Sequence, residues 1–500
     1  MYFSAITSVL VLAVSPIAAQ QIYDIWSTQW DRSTLFTYTN LGPNGELNFT
    51  SDSKSNSATI SVDDSTLYQD MVGFGATLTD SSAKLLSELK SSNSDNYWSI
   101  LNYLFDPTDG ADAAGFSYIR VPIGASDFSD TAYSLDDTSG DTNLDDFNIN
   151  AAPSYLYDTL SDIAGINRYL KIHIVPWSPP AWMKDSGSLL GGNFLSSYTD
   201  TYASYLLKAL QGYQGKGFNV WAIGIQNEPE NSDSTYPTCS ISASQEADIG
   251  TQLRTLMNDN GFSSTVIIGY EHNWNDAGAY PVTLMQDAPN AFSGASFHCY
   301  SGSVSDQQTF ESAYPDKAVY FTECTGEYGS DWWSDIKWSM DNIFIGAPNY
   351  WAQTGAMWNL ALDGNGQPIL SGSDSCGTPC RPVVTINSDG TFSYNQEFYA
   401  IAQAQKAINP KDVGGPVGQR ISSTVGGDLS WALLATAYVT NRNSASDWPR
   451  YSLVVLNWDD SASTTWNPQP VTATIEFRGN SVSYTFPVGV TTLWWYGSPN

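Results

Sequence analysis

The sequence predicts an α/β chain in which a (β/α)8 barrel carries an attached β-sandwich built from both chain ends. Three observations predict it. Short apolar runs alternate with helical stretches across residues 66–411, the mark of a parallel sheet with helical crossovers. Eight such runs can be counted, the number that closes a barrel. Outside that span, over residues 20–65 and 412–500, the pattern reverts to short strands punctuated by Ser, Asp, Asn and Gly, and 500 residues exceed one simple core.

Taken in order, residues 1–19 read as a signal peptide, with the apolar run 9–14 ending in Ile17-Ala18-Ala19 before Gln20. The run lacks a preceding Lys or Arg, and it is too short to span a bilayer. Polar strands follow at 35–38 and 58–62. The barrel strands are expected at 72–76, 116–122, 171–177, 220–225, 265–270, 294–298, 318–322 and 355–359, with helices such as 81–90 and 198–211 between them. The second strand-rich region contains runs at 429–437, 451–457 and 491–495, at sandwich-like spacing.

Bulk composition narrows the function classes. The aromatic share is 13%, and aromatic faces stack on the C–H faces of sugars, although most of these rings belong to a large core. A net charge of −31 repels polyanions, so nucleic acid and anionic membranes are not expected partners. No later stretch is long enough for a membrane anchor, and a secreted, extracellular monomer acting on a neutral polysaccharide or oligosaccharide is expected. Asn48-Phe49-Thr50 is a sequon. Five cysteines leave at least one unpaired. Cys376 and Cys380 flank a Gly-Thr-Pro turn that can bring them together, and Cys299 and Cys324 follow two neighbouring strands and are a second candidate pair. No cysteine or histidine spacing resembles a zinc site, and no cofactor or metal is expected.

Two glutamates stand out. Glu228, in Gln226-Asn227-Glu228-Pro229, and Glu323, in Phe321-Thr322-Glu323-Cys324, each end an apolar run, the fourth and seventh in the count. Barrel active sites form at the C-terminal ends of strands. A pair of carboxyl groups there, one protonated and one ionised, is the machinery of a retaining glycoside hydrolase. Asn227 supplies an amide for a sugar 2-hydroxyl, a contact that strengthens in the transition state.

Several segments carry a specific resemblance. Residues 72–81 (Val-Gly-Phe-Gly-Ala-Thr-Leu-Thr-Asp-Ser), 118–129 around Arg120 and Asp127, and 176–184 (Pro-Trp-Ser-Pro-Pro-Ala-Trp-Met-Lys) are similar to the first three strands of glycoside hydrolase family 30. That family consists of retaining β-glycosidases with a barrel and a β-sandwich. The resemblance runs from about residue 25 to the C-terminus. It implies Glu228 as acid/base and Glu323 as nucleophile. It implies Arg120 near the nucleophile, Asp127 gripping glycone hydroxyls, and Trp177 and Trp358 as walls of the sugar pocket. His298 and Tyr300 follow as active-site neighbours, Tyr300 bonding the nucleophile. Trp332 and Trp333 are expected either as a stacking platform or as core, and His272 as a loop residue without chemistry.

The resemblance is nearest to secreted fungal endo-β-1,6-glucanases, through the segment 358–363 and the Cys376–Cys380 turn. A carboxylate at Asp127 holding the 3- and 4-hydroxyls obstructs a chain continuing through O4 and leaves O6 free. The alternatives within the family are β-1,6-galactan or xylan as substrate, or a glucosylceramidase-like β-glucosidase. A non-catalytic glycan-binding protein is disfavoured because both carboxylates are present.

Overall fold

The computed structural model describes residues 20–42, 45–52 and 55–499, so the expected signal peptide lies outside the described residues. The eight barrel strands are β1 (Gly73–Thr77), β2 (Tyr118–Ile123), β3 (Lys171–Pro176), β4 (Val220–Gly224), β5 (Val266–Asn273), β6 (Gly294–His298), β7 (Ala318–Glu323) and β8 (Thr354–Met357). All pair in parallel in the order β7-β6-β5-β4-β3-β2-β1-β8. They are buried along almost their whole length, which is why they read as continuous apolar runs rather than alternating ones.

The seam between β7 and β8 is closed differently. Gln353 N donates to Val319 O at 2.9 Å, and the Thr354 hydroxyl both accepts from Phe321 N and donates to Phe321 O at 3.0 Å. A threonine side chain thus supplies ladder bonds that the short strand β8 leaves unmade.

Helices cover the barrel. The first, Asp80–Ser92, starts because the Thr79 side chain accepts the Ser82 N–H. The one preceding β5, Ala243–Asp259, opens with a capping box of Ser242 and Gln245. Both bury one apolar face on the barrel.

The strand-rich domain is assembled from both chain ends. Strand Gln21–Gln29 pairs antiparallel with Gly489–Tyr496, and Ala58–Asp70 lies between Gln419–Gly426 and Val471–Phe477. Nine strands form one hydrogen-bonded path, and a tenth, Leu47–Asn48, pairs with Gln21–Gln29 off that path. The path folds over its own core: Trp495 and Phe477 sit on strands far apart in that order, yet their rings meet at 5.3 Å. Ile22, Ile60, Leu453 and Ile475 fill the space between, all buried. Asn48 of the sequon is exposed on strand Leu47–Asn48.

Two disulfides form, Cys299–Cys324 and Cys376–Cys380, as the two candidate pairs suggested. Cys239 remains free and buried. Among the described residues, no helix is long and apolar enough to cross a membrane.

Candidate active site

The C-terminal ends of β2 to β8 and the loops after them converge on a cleft of about 410 Å³. Glu228 lies four residues past the end of β4 and is held there by backbone bonds to its neighbours. Asn227 N donates to Pro176 O at 2.8 Å, and Glu228 N donates to Glu271 O at 3.0 Å. Glu228 adopts φ +48°, a left-handed backbone that costs a side-chain-bearing residue about 1–3 kcal/mol. The neighbouring strands hold that conformation, which turns the carboxyl into the cleft. Glu323 is the last residue of β7, in register with His298 at the end of β6. One oxygen of Glu228 and one of Glu323 lie within 4.8 Å of each other.

Behind the cleft sits Arg120, fully buried on β2. Its Nη1 donates to Glu323 Oε2 at 2.5 Å and its Nη2 to Asn227 Oδ1 at 2.6 Å. Nε and Nη2 both donate to Glu271 Oε2, at 3.1 and 2.7 Å. Burial disfavours the guanidinium charge, but Glu271 and Glu323 more than offset this and raise its affinity for its proton. Glu271 is buried too. Burial alone raises its carboxyl, yet His173 at 2.9 Å and Arg120 hold it down to about 2. His173 Nδ1 in turn meets the Tyr118 hydroxyl at 2.6 Å. The result is a buried chain Tyr118–His173–Glu271–Arg120–Glu323 in which the guanidinium stands between two carboxyl groups.

The two cleft carboxyls have different neighbours. Both oxygens of Glu323 accept hydrogen bonds, Oε2 from Arg120 and Oε1 from the Tyr300 hydroxyl at 3.0 Å. That is the donor pattern an ionised carboxylate accepts. Glu228 Oε1 meets His298 Nδ1 at 3.0 Å, and Glu228 Oε2 accepts from Asn231 Nδ2 at 3.1 Å. Burial pushes the His298 imidazole down to about 4, so at mid pH it is neutral. An uncharged imidazole therefore sets no cation against Glu228 Oε1.

The walls are aromatic on one side. Trp177 and Trp358 stack at 4.9 Å with 19° between their planes, and the Arg120 guanidinium lies 4.8 Å from the Trp177 ring. Asp127 is buried beside them, with Oδ2 accepting from the Ser375 hydroxyl at 2.7 Å and Oδ1 unpartnered among the described residues. Burial pushes the Asp127 carboxyl up to about 7; the Ser375 bond pulls the other way and the Glu323 charge adds to the rise. The disulfide Cys376–Cys380 borders the same wall.

All nine residues singled out in the sequence gather here, in two layers. Asp127, Trp177, Asn227, Glu228, Tyr300, Glu323 and Trp358 line the cleft. Arg120 and His298 are fully buried and do not; they touch the carboxyls and not the open space of the cleft. One open alternative is decided and one expectation is corrected. Trp332 and Trp333 form no stacking platform: both are buried at the start of helix Trp332–Ser339, and Trp333 Nε1 donates to Asp460 of the strand-rich domain at 2.8 Å. His272 is not a remote loop residue. It lies one residue before the end of β5, inside the cleft, with its nitrogens 3.8 Å from Glu228 and 3.7 Å from Glu230, and burial pushes it down to about 4.

Sequence reasoning missed Glu271, His173, Asn231, Tyr236 and Ser375. One signal was available for Glu271. Gly224 ends β4 because a Cβ there would sit 2.1 Å from Glu271 Oε1, so the glycine marks a side chain arriving from the next strand.

Glu228, His298 and Glu323 offer one possible metal-ligand atom each within 4.8 Å, the group of that kind found among the described residues. Their donor atoms are already engaged with one another or with Arg120 and Tyr300, and the buried guanidinium repels a second cation. The set does not suit a metal.

Residues 71–408 match the family model for the Glycosyl hydrolase family 30 TIM-barrel domain. The chain is 34% identical over 358 residues to the Endo-1,6-beta-D-glucanase of Neurospora crassa, covering 68% of this chain and 70% of the relative. It is 31% identical over 387 residues to the Endo-1,6-beta-D-glucanase BGN16.3 of Trichoderma harzianum, covering 73% and 74%. Among solved structures, the endo-beta1,6-glucanase BT3312 superposes with a TM-score of 0.79 at 26% identity, covering 95% of this chain and 99% of that one. With the matched span exceeding half the chain, and its strand ends carrying the paired carboxyls, the protein belongs to glycoside hydrolase family 30 and is a glycoside hydrolase.

Proposed function

We propose that the protein is a secreted, retaining endo-β-1,6-glucanase, with Glu228 as acid/base and Glu323 as nucleophile. The observation that carries the mechanism is the asymmetry of the pair. Glu323 has a donor on each oxygen, and Glu228 has a neutral imidazole. Their closest oxygens lie within 4.8 Å, which favours retention, where carboxyl groups stand roughly 5–5.5 Å apart, over inversion at roughly 6.5–9.5 Å.

In the first step Glu323 attacks the anomeric carbon while Glu228 gives its proton to the departing glycosidic oxygen. The C–O bond to the leaving sugar breaks and a glycosyl ester on Glu323 forms. In the second step Glu228, now ionised, takes a proton from water, whose oxygen displaces Glu323. Asn227, held by Arg120, presents its amide toward the cleft, where a 2-hydroxyl bond gains strength as charge develops.

The choice of β-1,6-glucan rests on the named activity of relatives at 34% and 31% identity and on the closed Asp127 wall. Ser375 and the Cys376–Cys380 loop back Asp127, so a sugar gripped there has no exit past that carboxyl for a chain through O4. Secretion is supported by the apolar run at residues 9–14 and by two disulfides, which form in oxidising compartments. Assays on pustulan (a linear β-1,6-glucan), β-1,6-galactan, glucuronoxylan and an aryl β-glucoside test the substrate. Gluco-oligosaccharides from pustulan are expected; xylo- or galacto-oligosaccharides with no action on pustulan would overturn the reading.

A further inference from the structure

A second cavity lies where the strand-rich domain meets the barrel, and it shares no residue with the catalytic cleft. It holds about 500 Å³, within the roughly 300–1,000 Å³ typical of ligand sites. One wall comes from the strand-rich domain: Asp24, Trp26, Tyr38, Arg450 and Trp494. The other comes from the loop after helix Ser94–Phe105 and from the end of helix Gln396–Ile408. That loop precedes β2, so the cavity opens at the end of the barrel opposite the catalytic carboxyls.

Its chemistry is built for a ligand. Tyr38 is 43% exposed at the rim, and Tyr103 is half-buried beside it. Tyr103 and Asp112 also line an adjoining groove of about 550 Å³ with Phe392 and Tyr394, so the two spaces run on as one. The cations at the back are committed. Lys406 Nζ donates to Ala111 O and Ala113 O at 2.7 Å, and Arg450 pairs with Asp109 at 2.9 Å. Asp24 and Asp112 at the mouth have no ion pair among the described residues. Two of the lining residues, Trp494 and Arg450, each carry a buried N–H, at Nε1 and Nε, with no hydrogen-bond partner among the described residues.

Aromatic faces suit sugar C–H faces, carboxylates suit sugar hydroxyls, and the surplus of carboxylates rejects an anion. We propose that this groove is a second, non-catalytic binding site for a neutral glycan chain, which anchors the enzyme on polymer while the cleft at the far end cuts. The proposal rests on the polysaccharide substrate proposed above.

The test uses the full-length Glu323→Gln protein, which binds without cutting, in affinity electrophoresis through gels containing pustulan. Tyr38→Ala and Asp112→Ala, both at exposed positions, are compared in that background and in the active enzyme, with circular dichroism confirming the fold. Each is expected to weaken retention by pustulan about tenfold, the order of one lost ring contact or charged hydrogen bond. In the active enzyme each is expected to lower kcat/KM on pustulan several-fold and to leave kcat/KM on a short β-1,6-gluco-oligosaccharide unchanged. Unaltered retention together with an unaltered polymer-to-oligomer ratio in both variants would overturn the proposal. Failure of the β-1,6-glucan reading would appear separately, as wild-type enzyme that leaves pustulan intact; the gels and rate comparison then use the polysaccharide of the panel that it hydrolyses.

Discussion

Replacing Arg120 by lysine keeps the charge and removes the fork. Arg120 makes four hydrogen bonds to three residues from a fully buried position. A lysine ammonium is a single point donor and remains with the doubly bonded Glu271, releasing Glu323 Oε2 and Asn227 Oδ1. Each lost charged bond costs about 1.5–3 kcal/mol. With Glu323 as the proposed nucleophile, the bond to it aims the attacking oxygen, so about 2–3 kcal/mol of it falls on the transition state, or roughly 30- to 150-fold in kcat. Because Arg120 does not line the cleft, KM is expected to change little. Steady-state kinetics on a defined β-1,6-gluco-oligosaccharide read the split, with thermal melting confirming a folded protein. A kcat within about threefold of wild type, or a loss carried by KM, would refute the positioning role argued from these bonds.

The buried Glu271 makes stability depend on acid. Its carboxyl lies near 2 in the fold against an ordinary 4.5, so its contribution of roughly 3 kcal/mol is complete above 4.5 and is lost as pH falls from there toward 2. Melting temperatures of wild type and Glu271→Gln should therefore converge as pH drops through that window; a constant gap would contradict the charge balance with His173 and Arg120. Gly224→Ala puts a Cβ 2.1 Å from Glu271 Oε1 and 2.8 Å from Val175 Cγ2, and overpacking of this kind costs about 1–3 kcal/mol. It is expected to lower both the melting temperature and kcat, and wild-type values for both would show that Glu271 has room to move.

The barrel was legible because its strands are buried on both faces and so read as unbroken apolar runs. Expected runs such as 171–177 and 318–322 fall on Lys171–Pro176 and Ala318–Glu323. Glu228 and Glu323 were legible because they break those runs where a barrel presents its side chains. Glu271 was not, for a physical reason. The expected fifth strand stopped at Tyr270, whereas β5 continues to Asn273. Tyr270 and Glu271 both adopt positive φ, 72° and 45°, which breaks the in–out alternation that sequence reading relies on. Ser375 and Asn231 reach the cleft from loops, where no periodicity marks a direction. Trp332 and Trp333 stood open between platform and core because they follow Glu323 closely; the helix they begin turns them onto the strand-rich domain, where Arg32 lies 4.6 Å from Trp332. The pairing of Gln21–Gln29 with Gly489–Tyr496 was anticipated in kind from strand pattern at both ends, but its register is set by contacts distant in sequence.

The most direct test of the central claim follows the anomeric protons by NMR during the first minutes of pustulan hydrolysis by the wild-type enzyme. Two displacements, by Glu323 and then by water, predict new reducing ends that appear as the β-anomer and mutarotate afterwards. Reducing ends that appear first as the α-anomer would mean a single displacement, and would contradict the roles assigned to Glu228 and Glu323.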